Sequence, residues 1–138
     1  MNNITKALSI IEPYATLIRD GHKLIETRSW KTSYRGELYI HACSRQVPKE
    51  WKANKRLMSL APQLHFGQVV CKCELVDCVL MTQEFIDSMD KNGTEYLSGF
   101  YEVGRYAWIL KNVEVIDAPQ KVRGNRRIWN LDLDTLAF

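Results

Sequence analysis

The sequence predicts an α+β fold, a small mixed β-barrel with short flanking helices, on three observations. Several segments alternate apolar and polar residues with the period of a strand. Between them, two or three short segments have helical spacing and begin at proline or end at glycine. The 138 residues, 46% hydrophobic and 25% charged, suffice for one core and are too few for two domains of ordinary size. We therefore expect a single domain over residues 1–138.

The N-terminal elements have the clearest patterns. Residues 7–11 form an apolar run that predicts a strand, and helical spacing follows from Pro13 to Gly21. Proline has the backbone angle of a first helical turn, and glycine commonly ends a helix. Residues 24–30 begin with two apolar residues and then alternate, so an extended segment would place Glu26, Arg28 and Trp30 on one face.

The later elements follow the same logic. A turn at residues 34–36 leads into a strand over 37–43, and the Val- and Cys-rich run 67–80 predicts a long central strand with a bend. Two further strands are expected at 106–115 and 128–131. Pro48 favours a helix that continues to about Leu60 and is stopped by Pro62. Residues 82–100 form a mobile excursion in which Thr82 suits a helix cap.

The charge distribution leaves two interpretations open. The formal net charge of +3, from 19 basic and 16 acidic residues, is too small for a protein that coats duplex nucleic acid by electrostatics alone. Two local clusters are basic, and each forms either a solvated face or a surface that follows phosphates. They are Lys121, Arg123, Arg126 and Arg127 in one segment, and Lys49, Lys52 and Arg56 at helical spacing.

No cofactor or metal ion is expected. The four cysteines lack the paired Cys-x-x-Cys spacing of a metal site, and we expect buried free thiols. No segment approaches the ~20 continuous apolar residues that a membrane-spanning helix needs. The first residues lack the apolar core of a signal peptide, so we expect a cytoplasmic protein without membrane contact.

Residues 21–36, GHKLIETRSWKTSYRG, carry the chemistry of a recognition pocket. A carboxylate such as Glu26 accepts hydrogen bonds from exocyclic amines, and the Arg28 guanidinium donates to phosphate or carbonyl oxygens. An indole such as Trp30 stacks on a flat ring. This combination suits a nucleobase, with Lys23 at the mouth of the strand. The alternative from spacing alone is a surface ion pair between Lys23 and Glu26.

The chain resembles the ASCH domain, a branch of the PUA-like superfamily. The segments that carry the resemblance are LSI at 8–10, PYA at 13–15, GHKLIETRSW at 21–30, YRGELYIHA at 34–42, GQVV at 67–70 and GRYAWIL at 104–110. They cover nearly the whole chain. The resemblance implies a small PUA-like barrel, a cleft near residues 21–28 and an RNA-related role. Within the family, some members resemble RNA-binding modules, one bacterial branch is an amidohydrolase of N4-acetylcytidine, and ribonuclease activity is also described.

The amidohydrolase branch implies three catalytic candidates. Lys23 falls on the lysine of the family motif, where it could act as a base, a nucleophile or a hydrogen-bond donor. That branch has a threonine where this chain has Glu26, and it uses a glutamate on a later strand. Glu74 could correspond to that glutamate, or it could simply face outward from the barrel.

Further residues are candidates for binding a nucleic acid. Arg28 and Ser29 lie beside Glu26, where Arg28 could bind a phosphate or hold Glu26 in its ionised form. Arg35 could reach a phosphate from its turn, or it could pack against the protein. The alternatives to ligand binding are structural roles in ion pairs and in packing.

Aromatic residues could form the walls of the cleft. Trp30 and Trp108 are either stacking surfaces or core residues, whereas Trp51 is assigned to the core. Pro13 and Tyr14 are expected on the opposite wall. The start of their helix would also offer free backbone N–H groups to an anion.

The sequence therefore favours an RNA-binding or nucleotide-binding protein, with the base held in a cleft lined by lysine, glutamate, arginine and tryptophan. The first alternative is a hydrolase of a modified nucleoside or of RNA. The second is a protein-interaction adaptor in which the motif only stabilises the fold.

Overall fold

The computed structural model describes residues 3–136 and has a mixed α+β architecture, as predicted. The elements in chain order are β1 (Ile4–Ile10), α1 (Tyr14–Arg19), β2 (Ile25–Arg28), β3 (Gly36–Ala42), α2 (Lys49–Lys52), α3 (Lys55–Leu60), β4 (Val69–Leu80), α4 (Gln83–Asp87), α5 (Thr94–Leu97), β5 (Tyr106–Val115) and β6 (Ile128–Asp132). A single 3₁₀ turn follows at Leu133–Thr135.

The six strands form one sheet in the order β2-β5-β4-β3-β1-β6. Strands β1 and β3 are parallel, and the other neighbouring pairs are antiparallel. Within residues 3–136, β2 and β6 are the edges and no ladder joins them, so the predicted closed barrel is not confirmed. A side chain crosses part of the gap, because Arg28 on β2 donates from Nη2 to the backbone oxygen of Ser9 on β1 at 3.0 Å.

The long central strand is confirmed. β4 has 12 residues and pairs with β3 on one side and β5 on the other. Its register with β5 shifts between Lys72 and Glu74 and again between Leu75 and Asp77. Such irregularities increase the local bend and twist of a strand. They allow the long β4 to follow both of its neighbours, β3 and β5.

The main core lies between the sheet and α1. It contains Leu8, Ile10, Leu38, Ile40, Leu75, Trp108 and Leu110 from the strands, with Ala15 and Ile18 from α1. All four cysteines are free thiols; Cys71 and Cys73 are buried, whereas Cys43 and Cys78 are only partly buried. Burial raises the pKa of the Cys73 thiol to about 12, so this thiol stays protonated and behaves as a small apolar group.

The helix predicted from Pro48 to Leu60 is instead two short helices, α2 and α3. The break occurs at Asn54, whose side chain accepts a hydrogen bond from the backbone N–H of Leu57 at 3.1 Å. Asparagine favours this capping position over a helix interior, which is why the chain restarts there. Thr82 caps α4 as predicted, through a 3.1 Å hydrogen bond from the backbone N–H of Phe85.

No helix in the described part of the chain is long and apolar enough to span a bilayer.

Candidate functional site

A cleft of about 1310 Å³ opens beside the edge strand β2. Its walls come from six parts of the chain: the end of β1 with the start of α1, strand β2 with Trp30, residues 41–45, Trp51 of α2, the segment after α5, and residues 123–127. These parts are distant in sequence, so the sheet and its connections must form before the cleft exists. Of the predicted site residues, Tyr14, Glu26, Arg28 and Trp30 line it together.

An ion pair forms the floor of the cleft. Glu26 is only 7% exposed, and its Oε2 atom accepts from Arg28 Nε at 3.0 Å and from Arg28 Nη2 at 2.9 Å. The same guanidinium is held by the Ser9 backbone oxygen. Glu26 Oε1 has only a long 3.3 Å contact with the backbone N–H of Thr27, so it keeps capacity to accept from a ligand.

Lys23 lies beneath this floor. The side chain is fully buried, and Nζ donates to the backbone oxygens of Ile25 at 2.5 Å and Ser98 at 2.8 Å. Burial lowers the pKa of Lys23, against the opposing effects of the Glu26 and Glu95 carboxylates. Lys23 does not line the cleft; it ties β2 to the segment that follows α5.

Positive charge dominates the lining of the cleft. Among residues 3–136, Glu26 is its one carboxylate, and the lining also contains six arginines: Arg28, Arg45, Arg105, Arg123, Arg126 and Arg127. Three of them belong to the segment 121–127, which we call the basic loop. The loop therefore faces the cleft through its arginines, and the modest net charge of the chain conceals a concentrated positive site.

Two aromatic rings in the cleft each have an arginine guanidinium over one face. The Arg127 guanidinium lies 4.7 Å from the centroid of the Trp30 ring, and the Arg105 guanidinium lies 4.4 Å from that of Phe100. Both distances fit cation–π contacts. Because Arg127 has a positive φ of 56°, the backbone adopts an uncommon conformation at the residue that covers Trp30.

Trp108 belongs to the core. It is fully buried, its ring packs edge-on against Trp30 at 4.7 Å, and its Nε1 donates to the Trp30 backbone oxygen at 3.3 Å. Burial leaves no ring face for a ligand, so the stacking role predicted for Trp108 does not fit this structure. Trp51, which was assigned to the core, is only partly buried. It lines the cleft and packs edge-on against Tyr14 at 5.3 Å.

A model of the ASCH domain matches residues 8–120. The chain belongs to the ASCH domain family. It is also 30% identical over 135 residues to "Activating signal cointegrator 1" of Homo sapiens, and equally to the protein of that name in Mus musculus. Each alignment covers 91% of this chain and 22% of the relative, so the chain spans about a fifth of the length of these curated relatives.

Three further predicted site residues do not line the cleft of this ASCH domain. Glu74 is exposed on β4 and accepts from Asn112 Nδ2 at 3.0 Å, so it lies apart from Lys23 and Glu26. Arg35 donates from Nη1 to the backbone oxygens of Thr32 at 2.9 Å and Tyr34 at 2.8 Å, the packing alternative. Ser29 is exposed just beyond the end of β2.

The predicted anion site at the start of α1 is already filled. Glu12 is fully buried, and its carboxylate accepts from the Thr16 backbone N–H at 2.8 Å, the Thr16 hydroxyl at 2.6 Å and the His65 backbone N–H at 2.7 Å. The protein's own carboxylate therefore takes the place of an external anion. Pro13 precedes the helix and does not line the cleft.

The basic loop is held by a network centred on His41, which is 1% exposed. His41 Nε2 donates to the backbone oxygen of Val122 at 2.8 Å, which leaves Nδ1 to accept from the Ser9 hydroxyl at 2.9 Å. Burial lowers the pKa of His41 and favours this neutral form. Trp129 Nε1 also donates to Ser9 Oγ at 3.1 Å.

Gly124 explains the close approach of the loop to this network. A Cβ atom at this position would lie 2.4 Å from Ser9 Oγ and 2.8 Å from His41 Cε1. Nothing in the local sequence connects His41 to the basic loop, which lies about 80 residues later in the chain. The available signal was Gly124 itself, a glycine within a basic segment.

Among residues 3–136, no three His, Cys, Asp or Glu side chains form a group that could hold a metal ion.

Proposed function

We propose that this ASCH domain binds single-stranded RNA and holds one base in the cleft beside β2. The observation that carries the proposal is the lining of the cleft, where six arginines and several aromatic rings surround a single carboxylate. Arginine recognises phosphate through paired, charged hydrogen bonds. Aromatic rings stack on bases, and sequence-specific proteins read RNA mainly where its bases are unstacked.

The three kinds of side chain divide the work of recognition in this proposal. The basic loop and Arg45 bind the phosphates at the rim. Trp30, with Arg127 on its ring, stacks on the base. Glu26 Oε1 accepts from an exocyclic amine, while Arg28 keeps the carboxylate ionised and fixed. Lys23 supports the floor from below and does not contact the ligand.

The hydrolase alternative has one supporting observation, the lowered pKa of the buried Lys23. A lysine with a lowered pKa is a better base and nucleophile near neutral pH. Its Nζ atom, however, is already bonded to two carbonyl oxygens, and Glu74 lies on another surface. Incubation of the protein with N4-acetylcytidine and with short RNA tests this alternative, since either amidohydrolase or ribonuclease activity would release a new product.

Fluorescence anisotropy with a labelled short single-stranded RNA tests binding itself. The informative variant replaces both Arg123 and Arg126 by glutamine, and the matched control is Lys52→Gln, a charge on α2 outside the cleft. We expect the double variant to bind at least about tenfold more weakly, since contacts to charged groups contribute about 1.5–3 kcal/mol each. Equal affinity of wild type and double variant would refute the cleft, and no binding by any of them would favour the adaptor alternative.

A further inference from the structure

Phe100 is an exposed aromatic ring at the rim of the cleft. It is 56% exposed, although Arg105 covers one face of the ring. Leaving an aromatic ring in water forgoes the free energy that its burial would supply, so the exposed ring is available to pack against a ligand. Sequence analysis did not consider Phe100, because no alternation or helical spacing marks it.

The backbone of Phe100 is held firmly in place. Its N–H donates to Thr27 Oγ1 on β2 at 3.0 Å, and its carbonyl oxygen accepts from Arg105 Nε at 3.0 Å. Two residues earlier, the Ser98 backbone oxygen accepts from the buried Lys23. Three hydrogen bonds, with Thr27 of β2, with Arg105 and with Lys23, therefore hold this segment in place while the Phe100 ring stays exposed.

Phe100 and Trp30 present the same arrangement on different parts of the chain. Each ring lines the cleft and each has an arginine guanidinium over one face. Trp30 follows β2, whereas Phe100 follows α5, so the two rings stand on different segments. Either ring with its arginine can stack on one base, so the two rings together offer stacking surfaces for two bases.

We propose that Phe100, with Arg105, is a second base-stacking site, so that the cleft binds at least two nucleotides of one RNA strand. This inference rests on the proposed function and specifies its substrate as an oligonucleotide. Trp30 stacks on one base, Phe100 stacks on another, and the other arginines bind the connecting phosphates. A single nucleotide occupies only the site beside Trp30 and Glu26.

Calorimetric titration tests the proposal with three ligands: cytidine 5′-monophosphate, the trinucleotide of cytidine, and the same trinucleotide with one terminal base removed. The abasic ligand keeps every phosphate, so it separates stacking from charge. The variants are Phe100→Ala, Phe100→Tyr and the control Val103→Ala. Val103 is also 56% exposed, close in sequence and outside the cleft.

We expect Phe100→Ala to bind the trinucleotide at least about fivefold more weakly and the mononucleotide with unchanged affinity. The abasic trinucleotide is tested with the base removed at either end. Loss of the base that stacks on Phe100 should lower the affinity of the wild type by a similar factor. The same loss should leave the affinity of Phe100→Ala unchanged, as in a double-mutant cycle. Phe100→Tyr and Val103→Ala behave as wild type. Thermal melting checks that each variant is folded.

Two results would overturn the second site. Either Phe100→Ala binds the trinucleotide as tightly as wild type, or it loses affinity for the mononucleotide and the trinucleotide equally. In both cases wild-type RNA binding persists, so the proposed function survives. If wild type binds neither these ligands nor longer RNA, the proposed function fails together with the second site.

Discussion

Two charged residues three positions apart have different environments at the residue scale. The Glu26 carboxylate reaches the cleft and is paired with Arg28, whereas the Lys23 amine is fully buried and satisfied by two backbone oxygens. Their spacing alone suggested a surface ion pair, and the family resemblance implied a joint catalytic role. The structure instead places Glu26 in the lining of the cleft and Lys23 in the interior of the protein.

Glu26→Gln is expected to change base preference. The carboxylate favours cytidine, whose N4 amine donates to Oε1, and it disfavours uridine, whose O4 is an acceptor. Glutamine can also donate, so the variant should lose about tenfold in its preference for cytidine over uridine, within the ~1–3 kcal/mol of one base contact. Competition binding with oligocytidine and oligouridine measures this ratio. An unchanged ratio would remove Glu26 from base recognition.

Lys23 gives the folding stability a pH dependence with a definite sign. Burial lowers its pKa below the ordinary value of 10.5, so between the two pKa values the unfolded state binds more protons. The contribution is complete above pH 10.5 and declines as the pH falls towards the lowered pKa. The free energy of unfolding of wild type should therefore rise from pH 7 to 10 relative to Lys23→Met, which cannot titrate.

Urea unfolding of both proteins across this range measures the difference. Lys23→Ala tests the structural role of the side chain, because it leaves a cavity and two unsatisfied backbone oxygens. Its free energy of unfolding should be lower by about 2–5 kcal/mol at every pH. Parallel pH profiles for wild type and Lys23→Met would show that the amine titrates equally in both states.

The basic loop is the decisive element at the next scale. It has no regular secondary structure over most of its length, yet His41 bonds the backbone oxygen of Val122, and Gly124 packs against Ser9 and His41. These contacts connect the arginines of the loop to β1 and β3. The direction of the arginines thus depends on the sheet and on one glycine.

Gly124→Ala should displace the loop. The added Cβ would lie 2.4 Å from Ser9 Oγ, so either the loop or the His41 network must move. We expect a loss of about 1–3 kcal/mol in the free energy of unfolding and weaker RNA binding. Gly93→Ala is the control, since its Cβ would come no closer than 3.2 Å to any atom and lies outside the cleft. Wild-type stability and affinity in Gly124→Ala would contradict the close packing.

Charge distribution matters more than net charge at the scale of the whole molecule. A net charge of +3 would barely attract RNA if it were spread evenly, whereas six arginines around one cleft create a local attraction. If three or four phosphates are bound, the logarithm of the affinity should fall with the logarithm of salt concentration with a slope of about −2 to −3.

Anisotropy titrations between about 50 and 200 mM salt measure this slope. Replacement of Arg123 and Arg126 by glutamine should make it shallower, whereas Lys52→Gln should not. A slope near zero would mean that phosphates contribute little, and an equal effect of Lys52→Gln would assign binding to the α2 surface.

The features that could be predicted are those that depend on residues close together in the sequence. Alternation predicted that Glu26 and Arg28 share one face of β2, and both line the cleft; the strands of the sheet followed from local patterns. Burial of Lys23 was missed because its partner Ser98 is 75 residues away. The two positions left open for Glu74 could not be decided, because nothing local shows which face of a strand points to the cleft, and Phe100 is held by a distant contact with Thr27.

The central claim is that RNA binds in the cleft beside β2. The most direct test is an NMR titration of the ¹⁵N-labelled protein with a short single-stranded RNA. If RNA binds there, the amide shifts should concentrate at Thr27, Arg28, Gly99, Phe100 and residues 123–127. Shifts confined to another surface, such as that around Arg19, His65 and Asp117, would contradict it, as would the absence of shifts at saturating RNA.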